Sequence, residues 1–113
     1  MTIKLLSLSK NEDFKSLLTG RKVSSKYLTI FFKNLSYKGN KNLNISFVAQ
    51  KKIGNAVKRN KIKRRLRNIM NQIVKIYKIN LSYSYLLIAK KEIINAKFSD
   101  IKKTISKDYK KIK

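Results

Sequence analysis

Apolar residues return along this chain with two different periods, and each change of period marks a change of element. Ile62, Leu66, Ile69, Ile73 and Ile76 recur at steps of four, three, four and three, the spacing of one buried helix face. This central helix is expected to fade near Tyr77. Phe98, Ile101, Ile105, Tyr109 and Ile112 repeat the pattern and predict a last amphipathic helix, with Asn95 as its cap. Between the two, Tyr83 to Ala89 (YSYLLIA) reads as a largely buried strand.

Alternation dominates the N-terminal half. Ser9 with Glu12 three residues later forms a capping box, so a first helix is expected over residues 10–18, carrying Phe14, Leu17 and Leu18 and stopped by Gly20. Two β-rich segments follow, residues 23–33 and 43–50, joined by a polar linker with Gly39 and several asparagines; a hairpin is the economical pairing. In the second segment Leu43, Ile45, Phe47 and Ala49 alternate with Asn44, Ser46, Val48 and Gln50, giving one core face and one mostly small or polar face. In the first, Leu28, Ile30 and Phe32 alternate with Tyr27, Thr29 and Phe31. Placed on the polar face, Tyr27 and Phe31 are aromatics that either stack on unpaired bases or are covered by a neighbouring helix. With a short extra strand near residues 21–25, the order is α-β-β-β-α-β-α, a single α+β sandwich domain over residues 1–113.

The polar side of the central helix changes the picture. Residues 51–67 read KKIGNAVKRNKIKRRLR and hold nine cations with no acid among them. On a wheel of about 100° per residue, Asn60, Lys63, Arg64 and Arg67 lie opposite the apolar stripe, with Lys61 and Arg65 on one flank. Cations in the first turns of a helix oppose its macrodipole, at roughly 0.3–1 kcal/mol each. A phosphate bound at the helix N-terminus resolves that conflict, which makes the start of this helix a candidate phosphate site.

Net charge strengthens the same reading. The chain carries 29 basic and 5 acidic residues for a net +24, and no acid lies between Phe14 and Lys91. Such a balance points to nucleic acid or an anionic surface. An AT-rich coding sequence accounts for part of the lysine but not for Arg59, Arg64, Arg65 and Arg67 crowded together. Without cysteine or histidine there is no disulfide framework, no zinc site of the usual ligands, and no thiol or imidazole for catalysis. Glu12 and Asp13 form the one adjacent acidic pair, in a first helical turn where acids are favoured electrostatically, so they are not read as a nuclease centre; no catalytic residue is assigned. No apolar run reaches the roughly 18 residues of a membrane span, and the expected location is the cytoplasm.

With those residues laid out, KKIGNAVKRNKIKRRLR closely resembles the signature of the bacterial ribonuclease P protein family, marked by an Arg-Asn-Arg motif. Asn-Glu-Asp-Phe at 11–14, the glycine after the first helix and the YLLIAKK strand also fall in the family's order. The resemblance implies that an RNA cleaves the 5′ leader from precursor tRNA with Mg²⁺ bound mainly by that RNA, while the protein stabilises the RNA and holds the leader. It implies contact with the catalytic RNA through Arg59, Asn60, Lys61, Lys63, Arg64 and Arg67, with Lys51 and Lys52 close by. A leader cleft is implied at Phe14, Leu18, Thr29, Phe31, Val48 and Gln50. It also implies a left-handed β-α-β crossover, shared with a ribosomal protein domain and a translocase domain, where general rules predict a right-handed one. Lys61 stands where the motif has its second arginine, keeping the charge without the planar fork; Leu18 stands where an aromatic is common. Neither DNA nor membrane is expected as a partner. A structural ribosomal-RNA-binding protein fits the composition equally well, and only the spaced motif separates the two. A membrane-active basic protein fits less well, because the helix's apolar face is needed for the core.

Overall fold

The computed structural model describes residues 3–8, 11–35 and 41–112. Strand β1 (Leu5–Leu6) precedes helix α1 (Asn11–Leu18), strands β2 (Arg21–Ser24), β3 (Leu28–Lys33) and β4 (Leu43–Val48), helix α2 (Ala56–Ile76), strand β5 (Ser84–Ala89) and helix α3 (Phe98–Lys111). Short 3₁₀ turns at Lys51–Ile53 and Lys91–Asn95 stand before α2 and after β5. The five strands make one sheet in the order β1-β4-β5-β3-β2, a mixed α+β fold as expected, with β1 added at the front.

The pairing differs from the expected hairpin between the two β-rich segments. β5 lies between them, parallel to β4 and antiparallel to β3, while β3 forms its hairpin with the short β2. The reason lies in burial: β5 is apolar at Tyr85, Leu86, Leu87 and Ile88, and only a central position covers both of its faces. β1 pairs parallel with β4 at Leu43 and Asn44 alone. The capping-box serine and most of the linker lie outside the described residues.

One sheet face carries the main core. Leu28, Ile30, Phe32, Leu43, Ile45, Tyr85 and Leu87 pack there with Ile62, Leu66, Ile69, Met70 and Ile73 of α2 and Ile101, Ile105 and Tyr109 of α3. Ile76, expected on the buried stripe, is 64% exposed where α2 ends. Tyr27, expected on the opposite face, packs against this core from the bend before β3. Asn95 ends the second 3₁₀ turn rather than capping α3, whose N-cap is Lys97 without a side-chain bond. Burial raises the Asp108 carboxyl above its ordinary value, opposed by a hydrogen bond with Ser25 and by Lys111 and Lys90. Burial likewise pushes the Tyr85 and Tyr109 phenols up.

The second face is covered only in part. Leu17 of α1 is fully buried there with Leu8 and Leu86, and Phe14, Phe31, Val48 and Ile88 pack around them. α1 reaches β3 and β5 because its end comes very close to the sheet at Gly20. A Cβ on Gly20 would sit 2.8 Å from the Phe32 carbonyl oxygen and 3.0 Å from the Lys33 Cβ. No glycine among the described residues lies in the left-handed region, so Gly20 serves by its small size and not as the left-handed cap that a helix-ending glycine suggests.

Gly20→Ala is expected to destabilise the fold by about 1–3 kcal/mol, the range for overpacking. Denaturant unfolding checks this, and an unchanged midpoint would show that β3 yields freely at that point.

Candidate nucleic-acid interface

Two strand rows show what α1 leaves open. Phe31, Leu86 and Ser46 are cross-strand partners, as are Thr29, Ile88 and Val48 one step further along the same face. α1 sits over the first row through Leu17, so Thr29, Ile88 and Val48 form a half-buried shelf beside it. Side chains two apart along a strand share a face, which makes this shelf a property of register and not of any one residue.

A groove of about 460 Å³ opens where the shelf meets α2. Ser7, Leu8, Phe14, Ser46, Phe47 and Val48 line one side, and Lys63, Arg64 and Arg67 line the other. Arg67 is held in place there: its guanidinium lies 5.6 Å from the centre of the Phe47 ring and donates to Ser7 Oγ at 3.3 Å. Such stacking fixes the planar fork with two or more donors still available for an anion. A second groove of about 400 Å³ lies at the other end of the shelf, lined by Thr29, Gln50, Lys52, Ile88, Ala89, Lys90, Lys91 and Glu92. Lys90 is fixed by donating to Ser24 Oγ at 2.6 Å and to the Ser25 carbonyl.

These positions sort the sequence-predicted residues. Phe14 and Val48 line the first groove, and Thr29 and Gln50 line the second. Phe31 lines neither; its half-buried ring packs with Leu17 and Leu86, with Lys22 Nζ 6.0 Å from its centre. Leu18 is 50% exposed one turn along α1 from Phe14, outside both grooves.

On the basic side, Lys51 and Lys52 belong to the 3₁₀ turn and not to the helix, with Lys52 in the second groove. Lys63, Arg64 and Arg67 reach the first groove, whereas Lys61 lies on the opposite flank of α2. Arg59 is half-buried, and its Nε has no hydrogen-bond partner among the described residues. Asn60 is exposed.

Asn55 was not singled out by the charge pattern, yet it is the N-cap of α2 and accepts from the Lys58 amide at 2.9 Å. Its signal was available as an asparagine just before a helical run. The chain thus satisfies part of the α2 N-terminus itself, and less of it remains for an anion than the first-turn cations Lys58 and Arg59 alone imply. Lys90 and Lys91 carry no such signal in the sequence, because they stand past the end of β5 and its strand partners are set only by folding.

A family model described as Ribonuclease P matches residues 3–113. The ribonuclease P protein component of Fusobacterium nucleatum is 33% identical over 112 residues, covering 95% of this chain and 96% of that protein. That of Listeria monocytogenes is 31% identical over 99 residues, covering 87% of this chain and 80% of its own length. The solved structure of the Staphylococcus aureus RNase P protein superposes with a TM-score of 0.78 at 28% identity, covering 97% of both chains. The Thermotoga maritima protein superposes with a TM-score of 0.80 at 20% identity over 95% of this chain and 97% of that one, a likeness of fold.

Affinity for a single-stranded RNA of arbitrary sequence is expected to fall linearly with salt on logarithmic axes, with a slope of about −0.7 per phosphate held. Filter binding between low and physiological salt measures it, and a flat dependence would remove the basic grooves from the interface.

Proposed function

The chain belongs to the ribonuclease P protein family, and on that premise we propose that it engages two RNAs on adjoining surfaces. The catalytic RNA takes the basic side of α2, and the 5′ leader of precursor tRNA lies along the open sheet face. Members of this family act within an RNA-based endoribonuclease, so an RNA partner follows from the family itself. The observation that carries the finer reading is the groove with Phe14 and Val48 on one wall and Lys63, Arg64 and Arg67 on the other. A single-stranded leader on the shelf is there within reach of the helix that holds the larger RNA.

The chemistry of the two surfaces suits this division. The shelf offers apolar groups to unstacked bases, with Phe14 in the groove beside it and Lys52, Lys90 and Lys91 at its far end for the backbone. α2 offers guanidinium and ammonium groups without acids to neutralise them. Among the described residues no three acidic, histidine or cysteine side chains come together as a metal-binding group. In this reading, which follows the family resemblance, Mg²⁺ is held mainly by the RNA, and no catalytic step is given to a side chain of this protein. No helix among the described residues is long and apolar enough to cross a membrane. The apolar face of α2 is buried in the core, which takes away the surface a membrane-active helix would insert.

At low Mg²⁺, precursor tRNA cleavage by a bacterial ribonuclease P RNA is expected to be stimulated by this protein, with no cleavage by the protein alone. Lack of stimulation together with tight ribosomal RNA binding would move the assignment to the ribosome. Phe31→Ala is expected to reduce the preference for precursor over mature tRNA by up to the roughly 1–3 kcal/mol of a base–aromatic stack. Equal loss for both substrates, with a lowered unfolding midpoint, would assign the ring to packing under α1 instead.

A further inference from the structure

The cations of α2 do not form one face. Relative to Ile62, Leu66 and Ile69 in the core, Lys63 and Arg67 lie on one flank of the helix, and Lys58, Lys61 and Arg65 on the other, by the 3.6-residue turn. The latter three stand at i, i+3 and i+7 and converge on a separate groove of about 180 Å³ floored by Ile62 and Ile94. Ile94 comes from the 3₁₀ turn after β5, so this groove is built by two elements and shares no lining residue with the one beside the sheet shelf. No acidic residue lines it, and among the described residues no hydrogen bond or ion pair occupies the side chains of Lys58, Lys61 or Arg65. Its apolar floor supports their aliphatic stems while the charged ends stay in water.

We propose that Lys58, Lys61 and Arg65 hold a second backbone segment of the catalytic RNA, distinct from the segment at Lys63, Arg64 and Arg67, so that α2 lies between two phosphodiester strands. This rests on the proposed binding of that RNA. A helix about 10–12 Å across with its side chains keeps the two sets of cations apart, and the buried stripe prevents it from rolling to present both to one strand. Asn60 and Arg64 point away from the core between the flanks, at the place where the two strands would come nearest each other.

The chain has no cysteine, so single variants Lys61→Cys and Lys63→Cys can each carry an iron chelate that cuts nearby RNA by hydroxyl radicals. With a bacterial ribonuclease P RNA, the two are expected to cut segments that do not overlap. The same nucleotides cut from both positions, or cutting from Lys63→Cys alone, would overturn the inference. In parallel, the variant Lys58→Gln, Lys61→Gln, Arg65→Gln should lower the salt slope of binding by roughly 2–3 contacts' worth at about 0.7–0.9 each. It should leave the ratio of precursor to mature tRNA affinity unchanged. An unaltered slope in a variant folded by circular dichroism would also overturn it. Failure of the unmodified protein to bind this RNA at all would instead sink the functional reading on which the inference rests.

Discussion

Every functional surface of this protein depends on how α2 is seated. Ile62, Leu66, Ile69, Met70 and Ile73 are buried against the sheet, and burying each side chain is worth about 1.5–3 kcal/mol relative to exposing it. Rolling the helix by even one residue's turn would trade these for lysine or arginine in the core, a far larger cost. The apolar stripe therefore fixes the azimuth of every cation on the helix. Arg67 against Phe47 and Lys61 beside Ile94 are outcomes of that one packing decision. The arrangement also keeps the large positive charge at the surface: the only carboxylates buried among the described residues are Asp13 and Asp108, and no lysine or arginine is buried.

Unequal coverage of the sheet is the second determinant. Two helices close one face, and a single two-turn helix leans on the other through Leu17. A fully covered face would have no room for a ligand; a bare one would expose Leu86 along with Ile88 and Val48. The short α1 hides Leu86 and leaves the row beside it, Thr29, Ile88 and Val48, half-buried without the fold having to open. The close approach at Gly20 sets how near α1 comes to β3, and so how the shelf is bounded.

The helices and the identity of β5 were legible because periodicity and apolar runs report burial directly. The cationic surface was legible as well, since charge needs no partner to be recognised. Strand pairing was not, because neighbours in sequence usually pair and nothing local says that β5 will displace β4 from β3. That choice belongs to the total area buried. The two residues of β1 are too few to show any period, and the size requirement at Gly20 comes from a strand that is a neighbour only after folding. That Lys61 and Lys63 stand on different sides of the helix was legible as well, because Ile62 between them belongs to the apolar stripe; the groove that Lys61 shares with Ile94 was not, since Ile94 is a neighbour only after folding. Tyr27 packs on the main core and not with Thr29 and Phe31 because it stands in a bend, one residue before the alternation of β3 begins.

The central strand is made late. β5 begins at Ser84, after β1 to β4 and the whole of α2, yet it is the strand to which both halves of the sheet are hydrogen-bonded. As the chain emerges from the ribosome, N-terminal end first, β3 and β4 have no common partner, and the row Thr29–Ile88–Val48 has no middle member. The basic segment preceding α2's core stripe is already synthesised by then, with no sheet to hold it in register. The shelf of Thr29, Ile88 and Val48 therefore exists only once β5 has docked between β3 and β4 and joined the two halves of the sheet.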